Sequence, residues 1–434
     1  MSLRAEVTEL LQELLRANTV NPPGNEIRAA EVLRSYFARY GIECELYARE
    51  RDRPNVVARL RGDDGPSLML LSHTDTVLAD PAEWDRDPWS GDLVDGEVWG
   101  RGALDMKGQV AASAVAFASL VREGFSPAGE LLFTSVADEE VGGVGDDEGH
   151  GLRWLVQAHP EAVRCDFAIN EGGGDRLVLD GAPVYLCTTA EKMSAPFTLR
   201  VHGRSGHASM PGIADNALVK AAGYIAALGA YEPPRELIPE ARALLEAVLG
   251  EAPPLDEVLP RAHAVHPTLA KLVQPLLSFT LSPTMIDASH QRNVIPALCE
   301  VVVDCRLLPE QAPADVEPVL RALLGDDSYE LEWREAVGGT RSSLDSPLWG
   351  ALEEFTTTIE PGAKLAPMAC PGFTDSHYLR QAFGTIAYGF FPLKEMDTEL
   401  ATKLVHSANE RAAVTDLELG VEMIRSVARS LLDG

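Results

Sequence analysis

Basic residues are scarce in this sequence. Its 434 residues hold 37 Lys and Arg against 66 Asp and Glu, a formal net charge of −29. Such a balance argues against nucleic acid or anionic membrane as a partner, because like charge repels a phosphate backbone or an acidic headgroup. Long apolar runs are missing as well: no stretch approaches the ~18 consecutive apolar residues of a membrane helix. At the N-terminus, Glu6, Glu9 and Glu13 interrupt any secretory apolar region. That segment reads as an amphipathic helix, and the chain as soluble and cytoplasmic. Six cysteines (Cys44, Cys165, Cys187, Cys299, Cys305 and Cys370) form no C-x-x-C pair. They read as buried apolar residues, with neither a thiolate metal site nor a disulfide framework. No P-loop, dinucleotide fingerprint, internal repeat or low-complexity segment is found, which removes phosphate-cradling nucleotide enzymes.

What is present is an alternation of strands and helices. Helical patterns over 3–17 and 26–40 precede strand-like "ECELYARE", "PNVVARL" and "PSLMLLSHTD". A strong helix, "GQVAASAVAFASLVREG", leads to "GELLFTSVADEE", and the helix "GLRWLVQAHP" leads to "CDFAINEGGG". The pattern predicts an α/β fold, a mainly parallel sheet with helices on both faces. At about residue 192 the character changes to strand, helix, strand, strand, helix, strand, with a Pro- and acid-rich stretch over 231–267. The α/β character returns at about 337. The expected organisation is therefore a catalytic domain in two parts, 1–191 and 337–434, interrupted by an α+β domain over 192–336. A connection of about 33 residues follows the third strand, too long for an idle link in a compact domain.

Three strand-like runs end in potential metal ligands or their support: His73 with Asp75, Glu139 with Glu140, and Glu171. In open α/β sheets ligands bind outside the carboxyl ends of the strands, so residues distant in sequence can converge there. His73 and Asp75 point the same way on an extended chain, which lets the carboxylate orient a metal-bound imidazole. Asp105 precedes a helix and is either a helix N-cap or a carboxylate bridging two metals. Glu139 and Glu140 are adjacent, so their side chains diverge, one suited to a metal and the other to the water it activates. A solvated acidic turn, which would account for Gly142 and Gly143, is the plainer reading. With His406, these candidates make two imidazoles and three carboxylates, a hard-oxygen and borderline-nitrogen set suited to Zn(II), Mn(II) or Co(II). Two such ions about 3.5–4 Å apart form a hydrolytic clamp. Their four positive charges would neutralise Asp105, Glu139, Glu140 and Glu171.

The ordered blocks "SHTDTV", "WGRGALDMKG", "ADEEVGG", "INEGGG", "GRSGHASMPGIADNA", "NVIPALCEVVVDCRLLP" and "VHSANE" resemble the dinuclear zinc amidohydrolase and exopeptidase family. That family includes aminoacylases, acetylornithine deacetylase, succinyl-diaminopimelate desuccinylase, glutamate carboxypeptidase and carnosinase-type dipeptidases. The resemblance implies a zinc-exopeptidase-like fold whose inserted domain makes a homodimer. It implies that Asp105 bridges two ions, most commonly Zn(II). His73 and Glu171 would hold one ion and His406 and Glu140 the other, with Asp75 orienting His73. Glu139 would be the general base, taking a proton from a metal-bridging water that attacks the amide carbonyl. His207, otherwise a turn residue, would stabilise the oxyanion in the partner's site. Asn293 and Arg306 would hold a substrate with a free carboxylate, the guanidinium bidentately. Gly372 and Thr374, in "PGFTDSHYL", would contact substrate, and His377 is read as structural. Glu171 rather than Asp tilts the expectation toward N-acyl amino acids over a dipeptidase or carboxypeptidase. An inactive binding or scaffold relative would have no need of Glu139 and all five ligands.

Overall fold

Within the strand Ser67–His73, Leu68 and Leu70 enter one apolar cluster while Met69 and Leu71 enter another. The strand Glu130–Val136 divides the same way, Leu131 and Phe133 against Leu132 and Val136. Alternate side chains of a strand face opposite sides, so both strands are buried on two faces. The computed structural model describes residues 1–141, 149–179, 181–325 and 328–433. Gly142 and Gly143 lie outside the described residues.

The two strands sit inside a nine-stranded sheet. Its order is Cys44–Tyr47, Asn55–Arg61, Glu130–Val136, Ser67–His73, Phe167–Asn170, Ile386–Gly389, Ala182–Glu191 and Lys364–Cys370, with Arg176–Leu179 paired to Ala182–Glu191. The four strands from Glu130–Val136 to Ile386–Gly389 run parallel. Antiparallel neighbours flank them on both sides, so the sheet is mixed around a parallel centre. Helices Leu3–Arg16, Lys107–Arg122, Pro347–Ile359 and Val414–Leu432 cover one face. Helices Leu152–Ala158, Pro160–Val163 and Ser376–Phe383 cover the other. This is the α/β class expected. The helix Lys107–Arg122 is buried from Lys107 through Leu120, and its Ala, Ser and Gly positions let neighbours approach on every side.

A second, six-stranded sheet is built from strands between residues 193 and 338. The strand Leu298–Leu307 pairs antiparallel with Phe197–His202 and Thr280–Asp287, and Tyr329–Trp333 adds beyond Phe197–His202. Helices Ala217–Ala230 and Pro313–Leu324 pack on one face, against Leu199, Val201, Val301 and Val303. Some segments were not legible as elements. The Pro- and acid-rich stretch forms helices Pro239–Leu249, Leu255–Val265 and Pro267–Val273. Their Leu244, Leu245, Val258 and Leu269 pack on Val184, Leu186, Ala366 and Met368, on the large sheet rather than the small one. The long connection after His73 also carries structure. Asp92–Val94 and Glu97–Trp99 form a three-stranded sheet with Arg411–Ala413 from near the C-terminus. Among the described residues, no helix is long and apolar enough to cross a membrane, and all six cysteines are unpaired.

Candidate metal centre

The parallel centre brings three strand ends side by side. His73 closes its own strand, Glu139 and Glu140 follow Glu130–Val136, and Glu171 follows Phe167–Asn170. Asp105 comes in from the turn before helix Lys107–Arg122, and His406 from the turn after helix Thr398–Leu404. The Asp105 carboxylate lies between the two imidazoles: its Oδ1 is 3.1 Å from His73 Nε2 and its Oδ2 is 3.1 Å from His406 Nε2. Glu140 Oε2 is 3.1 Å from His406 Nε2. Glu171 Oε2 is 3.6 Å and Glu139 Oε2 3.9 Å from His73 Nε2. The adjacent glutamates thus turn apart, Glu140 toward His406 and Glu139 toward His73 and Glu171.

These residues fit a divalent cation on their own chemistry. Donor atoms of His73, Asp105 and Glu140 lie within 4.8 Å of one another, as do those of His73, Glu139 and Glu171. Glu140 Oε1 is buried without a hydrogen-bond partner, and an orphaned buried carboxylate oxygen is costly unless a cation meets it. Protonation behaviour tells the same story. Burial, reinforced for Glu139 by the neighbouring Glu171 charge, pushes Glu139 well above the usual carboxylate range, and burial raises Glu140 and Glu171 too. Burial disfavours a charged His73, yet Glu171, Asp105 and Asp75 outweigh it and hold that imidazole well above its ordinary value. Hydrogen bonds to the Asp105 and Glu140 carboxylates lift His406 to about 10. Without a metal, the cluster must share protons instead.

Supporting residues shape the cluster. His73 Nδ1 lies 3.1 Å from the Asp75 carbonyl oxygen and 3.5 Å from its Oδ1. The Asp75 carboxylate itself accepts the backbone N–H groups of Glu139 and Glu140, both at 3.1 Å, and Asn21 Nδ2 at 2.9 Å. Asp75 therefore orients three candidate groups at once. Asp138, at φ 63°, accepts from His150 N, Asn21 Nδ2 and Arg53 Nη2, and Arg53 also pairs with buried Glu26. Glu410, buried completely, accepts from Arg101 and from the backbone N–H groups of Gly102, Leu104 and Asp105. It moulds the turn that presents Asp105. Its membership in "VHSANE" was the available signal. Asn21 and Arg53 gave none.

The remaining candidates lie apart from this cluster or are already engaged. His207 is exposed on a short ribbon, Gly206–His207 with Val294–Ile295, and its Nδ1 accepts from Ser209. Asn293 is beside it, its carbonyl accepting from Ala208 N at 3.0 Å. No described contact joins this ribbon to the metal-side residues of the same chain. The Arg306 guanidinium is paired with Asp304, Nε to Oδ1 at 2.9 Å and Nη2 to Oδ2 at 3.0 Å. Gly372 is half-buried. Thr374 donates both its backbone N–H and its hydroxyl to Glu191 Oε2. His377 is buried and donates to the Thr374 carbonyl through Nδ1.

The profile of peptidase family M20/M25/M40 matches residues 69–430. The N-fatty-acyl-amino acid synthase/hydrolase PM20D1 of Xenopus tropicalis is 28% identical over 398 residues, covering 84% of this chain and 72% of that protein. The succinyl-diaminopimelate desuccinylase of Methylobacterium sp. (strain 4-46) is 28% identical over 438 residues, covering 98% and 94%. Among solved structures, the M20 family metallo-carboxypeptidase Sso-CP2 from Sulfolobus solfataricus superposes with a TM-score of 0.73 at 19% identity, covering 98% of this chain and 99% of that one. With the fold, the cluster and 362 residues of profile match in agreement (430 − 69 + 1), this chain belongs to peptidase family M20/M25/M40 and is a metal-dependent hydrolase.

Proposed function

We propose that this enzyme cleaves the amide bond of N-acyl amino acids, using two divalent ions held by His73, Asp105, Glu140, Glu171 and His406. The observation that carries the two-ion reading is the Asp105 carboxylate, with one oxygen 3.1 Å from each imidazole. The donor set favours Zn(II), with Co(II) and Mn(II) as the other candidates. Ions bound there would polarise the amide carbonyl and lower the pKa of water.

The chain's own residues supply the rest. Glu139 reaches the His73 side of the cluster, where Asp105 and Glu171 also offer carboxylates, and its raised affinity for protons suits a general base. It takes the proton of the attacking water and delivers it to the leaving amine nitrogen. Arg306 is suited to a substrate carboxylate once Asp304 releases its fork, and Asn293 and half-buried Gly372 complete the proposed substrate contacts.

We assign residues 192–336 as the dimerisation and lid domain, with 1–191 and 337–434 as the two parts of the catalytic domain. Helices 239–273 brace the large sheet. Exposed Met285 and Ile286 on the edge strand Thr280–Asp287, with exposed Leu218 and Val219 on helix Ala217–Ala230, support a homodimer through this unit. Exposed His207, bonded only within its own ribbon and turn among the described residues, suits a role in the partner's site. Six unpaired thiols fit a cytoplasmic location.

The names of the PM20D1 and desuccinylase relatives favour deacylation over dipeptide or carboxypeptide cleavage. A screen of N-acetyl, N-succinyl and long-chain N-acyl amino acids against dipeptides, with and without chelator, tests this. The expected result is chelator-sensitive release of an amino acid from N-acyl substrates. Turnover confined to dipeptides would replace the deacylase reading, and chelator-resistant turnover would defeat the metal reading.

A further inference from the structure

Glu191 ends the strand Ala182–Glu191 with its side chain only 1% exposed, and it holds no place in the metal cluster. A buried carboxylate is costly unless charge and hydrogen bonds meet it. Its Oε1 accepts from the Thr340 hydroxyl at 2.7 Å and lies 3.3 Å from Arg380 Nη1. Its Oε2 accepts from Thr374 N at 3.0 Å and from the Thr374 hydroxyl at 3.3 Å. Arg380 is fixed in turn, Nε to Ser342 Oγ at 3.0 Å and Nη2 to the Ala387 carbonyl at 2.6 Å. The pair is thus anchored to the large sheet and to Thr340 and Ser342, and Oε2 is given over to Thr374.

The Thr374 turn borders the metal cluster. Asp375 follows Thr374 and is buried. On the other side Asn170, which precedes Glu171, donates through Nδ2 to Ser376 Oγ at 3.1 Å. The turn is therefore held from the Glu191 side and from the Glu171 side. We propose that Glu191, braced by Arg380, is the positioning residue of the Thr374–Asp375 turn, and that Thr374 serves the site through this brace rather than by bonding substrate. A misplacement of about 1 Å in such a site can cost 10²-fold in rate, which is the reason to hold the turn with a buried charge.

This inference rests on the hydrolase reading above for what the turn borders, but its structural half can be read without turnover. Glu191→Asp keeps the charge for Arg380 while withdrawing the carboxylate by one methylene. The expected result is a kcat lowered about tenfold or more, unchanged metal content, and faster amide exchange over 372–376 in both metal-free and loaded protein. Thr374→Val leaves the Glu191–Arg380 pair intact and serves where Glu191→Asp does not fold. It should also speed exchange and lower kcat, with Thr374→Ser restoring both. Wild-type exchange and kcat in these variants would overturn the proposal, as would a rise in KM alone for Thr374→Val, which marks direct substrate contact. If the wild-type protein hydrolyses no amide, the hydrolase reading fails, while the exchange data still decide the brace.

Discussion

Five candidate ligands from five separate places in the chain meet in one cluster, and the most specific consequences attach to single atoms. Neighbouring carboxylates favour the protonated imidazoles of His73 and His406 in the metal-free protein. A metal ligand must be neutral imidazole, so loading has to displace those protons. Calorimetric titration of apo protein at pH 7, in buffers of different ionisation enthalpy, is expected to show proton release on metal loading. The sign follows: apparent metal affinity falls as pH drops from 8 to 6, and a pH-independent affinity would contradict the arrangement. His73, Asp105, Glu139, Glu140, Glu171 and His406 were legible because each is an acid or imidazole at an element end, within blocks resembling a known family. Asn21, Arg53 and Glu191 were not. Each acts by bonding other side chains, and partners such as Asp75 for Asn21, 54 residues away, and Thr374 for Glu191, 183 away, leave no local pattern.

At the level of elements, long-range pairing decides how rigidly the ligands are presented. The three-stranded sheet joins the Asp105 connection to the segment just after His406 through Trp99 and Arg411, and Glu410 takes three backbone N–H groups of the Asp105 turn. Glu410→Gln leaves the buried Arg101 unpaired and loosens that turn. It is expected to weaken metal binding about 10- to 100-fold, the usual effect of losing an outer-shell partner, measured by competition with a chromophoric chelator. An affinity equal to wild type would show that the turn holds its shape without Glu410. Leu244, fully buried in the helix Pro239–Leu249 against the large sheet, tests the other long-range contact. Leu244→Ala is expected to cost about 2–5 kcal/mol, read as a lowered denaturation midpoint, whereas a neutral result would mean these helices are peripheral. The central strands and the long helices were legible from uninterrupted apolar runs and amphipathic spacing. The edge strand Lys364–Cys370 was not, since Pro367 interrupts its pattern, which an edge position tolerates. The helices of 239–273 were hidden by prolines that in two of the three occupy first-turn positions.

For the whole molecule, the charge of −29 and the apolar residues exposed on the smaller sheet and its helix set the expectations about partners. Val219→Asp together with Met285→Lys is expected to convert a dimer into monomers in analytical ultracentrifugation. If His207 completes the partner's site, the monomers should retain metal while losing most turnover; fully active monomers would place His207 outside catalysis. The alternation of strands and helices foreshadowed the α/β class, whereas the seat of helices 239–273 on the large sheet depended on packing that no local period encodes. The central claim is that Glu139 moves the proton while its neighbour and four other residues hold metal. The direct test is metal analysis and amide hydrolysis on wild-type protein and Glu139→Ala after reconstitution with Zn(II). The account expects two ions per chain in both, with hydrolysis reduced about 10²- to 10⁴-fold in the variant. Protein that takes up no ions, or a Glu139→Ala variant that hydrolyses at the wild-type rate, would contradict it.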